Sequence, residues 1–425
     1  MTQDRSDHLL VIGSSDQQYR EYAMREFAAA YPLWLVTDRP PTWERRYCWG
    51  VTQVDMSDRA DPTRLLAAVE DLVAEVPVGG VVCCEEEYIV LAAHVVERLG
   101  LRGMTAEVAG RCRDKYRTRE AVRLAGLPGP TAVAAGTVAD TRRVVERIGL
   151  PVVVKPRTLG GALGIRRVDN LSDVPAAFAA ATAAADWCPG VPVPADAVLV
   201  ESYLDGPNIS LGSVVFDGVI HPMAIARVST VCPPHFEETD HVVDGFDPLF
   251  DDGEFLRLAQ DVHTALGIRD GATLSQWRLT DAGPMLVEVN GRLGGDLIPH
   301  IGARANGVNM ARAVADAAMG VSPRVKRTPH SAAIITFLLP DHSLVVDSVE
   351  VVGTPPPGTR IELLAGAGTE LVLPPLGFKA RYAFVIAEAA DVAECHRLVA
   401  EASGLVWLRE RAGAGAARTA VVAGG

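Results

Sequence analysis

The chain has 425 residues, 48% of them hydrophobic, seven cysteines and a formal net charge of −13 at pH 7. That length is too great for one core and predicts two or three domains; with no apolar run near the ~18 residues of a membrane span and no Lys/Arg cluster, the acidic balance argues against membrane or nucleic acid as a partner. The opening MTQDRSDHLLVIG has neither the basic region nor the apolar core of a signal peptide, so the cytoplasm is the expected compartment, and the adjacent Cys83 and Cys84, with no metal-ligand spacing nearby, read as reduced core thiols.

His8 to Gly13 is an apolar run ending in Gly-Ser-Ser, followed by a helical pattern from Gln17 to Ala30. Leu33 to Thr37 reads as a strand, Leu65 to Val76 as a helix, Gly80 to Cys84 as a strand and Tyr88 to Leu99 as a helix. This alternation predicts a doubly wound parallel sheet, whose ligands gather beyond the carboxyl ends of its strands. Glu85-Glu86-Glu87 stands at one such end and suits either a substrate ammonium or the positive end of a helix dipole. The Gly13 turn has neither the GxGxxG nor the Walker pattern.

Arg111 to Ala125 reads as one charged helix containing Asp114-Lys115, stopped by Leu127-Pro128-Gly129-Pro130. A strand and a helix then lead to Val152-Val153-Val154-Lys155-Pro156, a β-branched strand closed by a lysine. An ammonium there is costly unless an anion meets it, which makes a phosphate partner attractive. The loop from Arg157 to Gly164, rich in glycine and free amides, is either a phosphate-covering flap or a surface hairpin. Asp173 to Ala185 reads as a helix, and Val198 to Glu201 as a strand that exits through Ser202-Tyr203-Leu204-Asp205-Gly206.

Ile209 to Phe216 and Val219 to Arg227 form a further strand pair, and the Pro-broken stretch from Cys232 to Gly245, with His235, Glu237, Glu238, Asp240 and His241, reads as a substrate-facing loop rather than a zinc site, since it has no HxxxH or HExxH pattern. Phe255 to Leu266 is a helix. Ala272 to Leu279 and Gly283 to Asn290 form a hairpin about Ala282, which sets Gln276 opposite Glu288 and Arg278 opposite Leu286. Met285, Val287 and Val289 then share one face, and Glu288, Asn290 and Arg292 the other. An acid, an amide and a guanidinium in a row supply oxygen ligands for a hard cation and a fork for carboxylate or phosphate; the plain alternative is an edge strand with one solvated face. Gly294-Gly295-Asp296 either leaves backbone amides free to approach a ligand or lets the chain turn into the segment beginning near Ile298. Asn309 to Met319 is a helix, and Ala332 to Leu339, Val345 to Val352, Arg360 to Leu364 and Lys379 to Ala387 read as short strands before a helix from Val392 to Ala402.

The order of these features resembles the ATP-grasp superfamily over nearly the whole chain, and PPHFEE, EVNGRLGGD and a C-terminal α+β segment most resemble the L-amino-acid ligases that join two amino acids. The resemblance implies a multidomain α/β and α+β fold: a doubly wound N-terminal domain over 1–110, an ATP-grasp domain over 111–325 with a lid at about 130–205, a small α+β cap over 326–411 and a disordered tail over 412–425. It implies ATP and Mg2+, or Mn2+ in its place, with Lys115 and Lys155 on the phosphates, Gly160, Gly161 and Gly164 in the flap, Glu201, Tyr203 and Leu204 at the adenine hinge, and Asn208 where the family commonly has a ribose-binding acid. Glu288 and Asn290 would bind the metal together with Gln276, which stands where the family usually has Glu. Arg292 and Lys155 would carry the catalysis, and Glu87, His235, Glu237, Glu238, Arg292, Gly294 and Gly295 would border the amino-acid pocket. The implied activity is ADP-forming carboxylate-amine ligation of small molecules through an acyl phosphate, by a homodimer. Carboxylase or purine-pathway chemistry is the alternative within the superfamily, and a catalytically decayed nucleotide-binding protein the alternative outside it.

Overall fold

The structure is a computed structural model that describes residues 7–231 and 233–412. The tail expected from residue 412 therefore lies, from 413 on, outside the described residues, as does Cys232. The six described cysteines are free thiols, with Cys84 buried and Cys83 half-buried. No helix among the described residues is long and apolar enough to cross a membrane.

Four parallel strands open the chain, in the order Cys48–Gln53, Leu33–Thr37, His8–Ile12, Val78–Cys83. The central strand is apolar throughout because both of its faces are covered: Leu10 and Ile12 pack with Leu65, Val69 and Val95, while Leu9 and Val11 pack with Met24, Phe27 and Val314. Cys48–Gln53 was not anticipated. It is one of the two edge strands, and it carries Gly50 and the exposed Trp49 instead of an apolar run. The second of those clusters also takes in Val214, Met223 and Ala224, so the N-terminal sheet shares its core with the central domain.

Residues 132–202 form a four-stranded antiparallel sheet in the order Ala132–Ala135, Val198–Ser202, Val152–Pro156, Arg166–Val168. The helices Val138–Ile148 and Val174–Ala183 cover one face through a core of valines and alanines. The single helix expected over 111–125 is two, Ala106–Arg113 and Lys115–Leu124. Asp114 breaks it, with an extended backbone and a carboxylate that accepts from the amides of Tyr116 and Arg117.

The largest sheet has eight antiparallel strands, running Gly283–Asn290, Gly271–Thr280, Asn208–Phe216, Val219–Val231, Glu237–Asp244, Ala332–Leu338, Ala383–Ala389, Thr359–Leu363. Glu237–Asp244 lies in the stretch expected to be a loop; its Pro-Pro entrance is irregular, and a bulge that leaves Thr239 unpaired brings Glu238 and His241 to within 3.8 Å of each other. Ala332–Leu338 pairs with it from Asp240↔Thr336 to Asp244↔Ala332. Three strands of the 326–411 segment thus continue the large sheet, with the helix Val392–Ser403 packed on them, and the remainder forms a small sheet in the order Glu370–Leu371, Leu344–Val351, Val406–Glu410.

Candidate active site

The cleft lies between the 132–202 sheet and one end of the large sheet, and it encloses a cavity of about 170 Å³. Its floor is the Gly271–Thr280/Gly283–Asn290 hairpin. Gln276 pairs opposite Glu288 as expected, but a bulge follows, so Trp277 faces Leu286 and Arg278 faces Met285. Val287 is the extra residue. Leu286 and Val289 are fully buried in the core, whereas Val287 turns with Glu288 and Asn290 into the cleft, correcting the expectation that Met285, Val287 and Val289 share one face. A bulge re-aims side chains and releases backbone groups, and the Val287 carbonyl here accepts from Arg119 Nη2.

Two lysines reach the cleft from opposite walls. The break at Asp114 puts Lys115 in the first turn of its helix, where Nζ donates to the Leu159 carbonyl at 2.5 Å and stands 3.1 Å from Glu288 Oε2. Burial would raise the Glu288 carboxyl, but Lys115, with Asn290 donating at 3.1 Å, holds it down at about 2. Lys155 ends its strand with Nζ 2.5 Å from Glu201 Oε2, and Arg119 Nε donates to the other Glu201 oxygen at 2.6 Å. Burial pushes Lys155 down to about 8 against the pull of Glu201. Tyr203, Leu204 and Asn208 line the same end of the cavity.

The residues proposed for a metal suit one. Asn290 gives its amide nitrogen to Glu288, and Gln276 gives its own to Glu238 at 3.2 Å, so each leaves a carbonyl oxygen uncommitted beside an ionised carboxylate. Oxygen donors with one full charge are the set a hard divalent cation takes. The other acid-rich cluster does not suit a metal. Donor atoms of Glu238, His241 and Asp296 lie within 4.8 Å of one another, but Arg381 holds both Asp296 oxygens, at 2.8 and 3.1 Å.

Of the glycine-rich loop, Gly161 lines the cavity, with positive φ and Lys379 Nζ beside it. Gly160 faces Glu86 and Arg113, and Gly164 is packed against Ala180 and Ala184, where a Cβ would lie 2.8 Å from the Ala180 carbonyl. Those two are therefore outside the cavity lining. So is Glu87, which pairs with Arg59 at 3.4 Å. The short turn Glu86–Tyr88 fans the acids apart: Glu85 accepts from the Ser15 amide at 2.6 Å, and Glu86 pairs with the cavity-lining Arg292, 2.6 Å from its Nε. Strand alternation divides the other candidates. Phe236 and Glu238 line the cavity; Glu237 points away and accepts from the Lys379 amide at 3.3 Å, and His235 lies at the base of the glycine-rich loop. Gly295 lines the cavity, while the Gly294 carbonyl is bound by the buried Arg20 at 2.7 Å.

Arg119, Asp296 and Lys379 also line the cavity and were not among the candidates. Arg119 carried a signal, since i+4 from Lys115 is the same helix face. Asp296 and Lys379 carried none. Both adopt left-handed backbone, and Lys379 arrives from the far end of the chain.

A family model of the ATP-grasp domain matches residues 148–300, and one of the ATP-grasp N-terminal domain matches residues 36–103. An uncharacterized protein of Sinorhizobium fredii is 25% identical over 322 residues, 74% of this chain and 65% of that protein. Alanine–anticapsin ligase of Bacillus subtilis is 26% identical over 250 residues, 54% of this chain and 52% of that one. The chain thus spans between half and two-thirds of the length of these curated relatives. Among solved structures, an L-amino acid ligase from Bacillus licheniformis superposes with a TM-score of 0.78 at 19% identity, covering 96% of this chain and 99% of that one. A phosphoribosylglycinamide synthetase from Anaerococcus prevotii does so with 0.69 at 16% identity, covering 95% and 100%. At these identities the two structures agree on the fold and leave the substrates open.

Proposed function

Because this chain is an ATP-grasp protein, with the N-terminal domain of that fold ahead of its nucleotide cleft, we propose that it is an ATP-dependent ligase joining a carboxylic acid to an amine, with an amino acid on at least one side. The observation that carries the reading is the division of charge along one cleft. Lys115 and Lys155 face each other at one end, and Arg292, Glu238 and Asp296 stand at the other, with Glu288, Asn290 and Gln276 between them. The first pair suits phosphates, the middle group a divalent cation, and the last an amino acid's carboxylate and ammonium. The activity for which alanine–anticapsin ligase is named and the fold shared with an L-amino acid ligase support the same class.

In this reading the carboxylate of the acid attacks the γ-phosphorus of ATP, the bond to the bridging oxygen breaks, and ADP leaves an acyl phosphate behind. Lys115, Lys155 and Arg292 offset the charge on the transferred group, which is catalysis by position and electrostatics. Glu288, Asn290 and Gln276 would hold Mg2+, which when bound would neutralise phosphate charge. The neutral amine then attacks the acyl carbon, the bond from that carbon to the phosphate oxygen breaks, and the amine's surplus proton leaves with the departing phosphate. The glycine-rich loop keeps water from that carbon.

The test is to incubate the protein with ATP, Mg2+ and pools of amino acids, following nucleotide products and new masses together. ADP and phosphate that appear only when acid and amine are both present, with a condensed mass, are the expected result. AMP and pyrophosphate would replace the mechanism with adenylation. Measurable ATP binding without turnover in any pool would favour the nucleotide-binding alternative.

A further inference from the structure

Arg119 stands one turn beyond Lys115 on the helix Lys115–Leu124 and is 4% exposed. Its Nε and Nη2 are committed, to Glu201 and to the Val287 carbonyl released by the bulge. Its Nη1 is buried and has no acceptor among the described residues, although the residue lines the cleft cavity together with Lys155 and Tyr203. A buried N–H without an acceptor costs as much as a lost hydrogen bond, and native proteins rarely leave one. The charges around it do not cancel either. Glu201 is one carboxylate held between two cations, Lys155 and Arg119, so this wall keeps an excess positive charge that a ligand's acceptor would offset.

We propose that Arg119 binds the nucleotide directly, its Nη1 donating to an acceptor atom of ATP while Nε and Nη2 fix Glu201 and Val287 around the same ligand. This rests on the reading of the cleft as an ATP site. The acceptor is either a purine ring nitrogen or a phosphate oxygen, since a guanidinium N–H serves both.

Calorimetric titration of the full chain with ATP separates the two levels. A wild-type protein that does not bind ATP would remove the reading of the cleft. Wild-type binding together with equally tight binding by a folded Arg119→Met variant would overturn only the role of Arg119. The expected result is a loss of about tenfold to a hundredfold in ATP affinity for Arg119→Met, the range for a hydrogen bond to a charged group. Arg119→Lys, which keeps charge but not the fork, should lose less, and it carries the comparison should the Met variant not fold. A role exerted solely through Glu201 is tested in a Glu201→Gln background: a further loss on removing Arg119 supports direct contact, and no further loss overturns it. Titration with 7-deaza-ATP then narrows the acceptor. If Arg119→Met weakens ATP and leaves 7-deaza-ATP unaffected, the acceptor is the ring nitrogen at position 7; equal weakening of both excludes that nitrogen and leaves N1, N3 or a phosphate oxygen.

Discussion

Gln276 Nε2 donates to Glu238 Oε1 across 3.2 Å, tying the residue opposite Glu288 to the acid at the proposed substrate end of the cleft. An acid at position 276, the residue that the family resemblance implies, would place two carboxylates at that spacing, and such a pair keeps a proton between its members. Gln276→Glu should therefore lower turnover at pH 7.5 by about tenfold or more, a barrier increase of about 1.4 kcal/mol. The introduced carboxyl titrates above its unfolded value, so its protonated form is tolerated at low pH and the strain appears as pH rises. Thermal melts should show a variant deficit that grows from about pH 5 to pH 8. A large gain in turnover would mean instead that the amide marks a decayed site.

The hairpin that carries this pair was legible because alternation and turn residues are local. The Gln276–Glu288 register followed from them, and the bulge beyond it did not, because no residue type marks a bulge at Val287 and its reward, a carbonyl offered to Arg119, is tertiary. Lys155 was legible for a physical reason, since a cation in an apolar strand needs an anion, whereas Lys115 was singled out by the family resemblance alone, its place at a helix start being hidden by the unforeseen break at Asp114. Glu86 could not be told from Glu85 and Glu87, since only the Glu86–Tyr88 turn decides which of the three faces Arg292. The C-terminal strands were visible as strands, but their union with the large sheet depends on pairing between Asp240 and Thr336, which are far apart in sequence.

Lys155 predicts a pH dependence. Burial pushes its ammonium down to about 8, and only the charged form meets a phosphate. ATP affinity should be level below that pH and weaken above it by up to tenfold per unit until the complex's own, higher value is reached. Titrations with ATP from pH 6.5 to 9.5 read this directly. Lys155→Arg, whose cation does not titrate in that range, should flatten the alkaline limb; a limb unchanged in that variant would assign it to another group.

Asp114 holds two structures at once, the first turn of the Lys115 helix and Arg157 at the entrance to the glycine-rich loop, whose Nη2 lies 2.5 Å from its carboxylate. Asp114→Asn keeps an N-cap and loses the charge pair, while Asp114→Ala loses both. Removing one partner of a buried pair costs about 3–5 kcal/mol, and an absent cap adds about 1 kcal/mol. Denaturant unfolding should rank wild type, Asn and Ala in descending stability. ATP affinity should follow the same order, because Lys115 follows Asp114 and its amide donates to the Arg157 carbonyl at 2.9 Å. Equal stability of Asn and Ala would remove the capping part of this account.

Arg292 and Glu86 separate binding from chemistry. Arg292 Nε lies 2.6 Å from Glu86, and its Nη1 donates to the Leu293 carbonyl at 3.0 Å, so two of its three nitrogens fix the fork and Nη2 remains for a substrate oxygen. Arg292→Ala should abolish product while ATP binding stays within about twofold, because the phosphate lysines Lys115 and Lys155 are held by Glu288 and Glu201 and do not lean on it. Glu86→Gln keeps a hydrogen-bond acceptor beside Nε but removes the charge that orients it, and Glu86 is also paired with Arg113 at 2.9 Å. Its loss should raise the KM of the acid substrate and lower kcat by about tenfold, the pattern of a mispositioned binding group. Single-turnover measurement of ADP release in both variants checks the pair. An Arg292→Ala enzyme that still turns over normally would take the carboxylate away from this arginine and leave Arg381 or Lys379 as the cation that receives it.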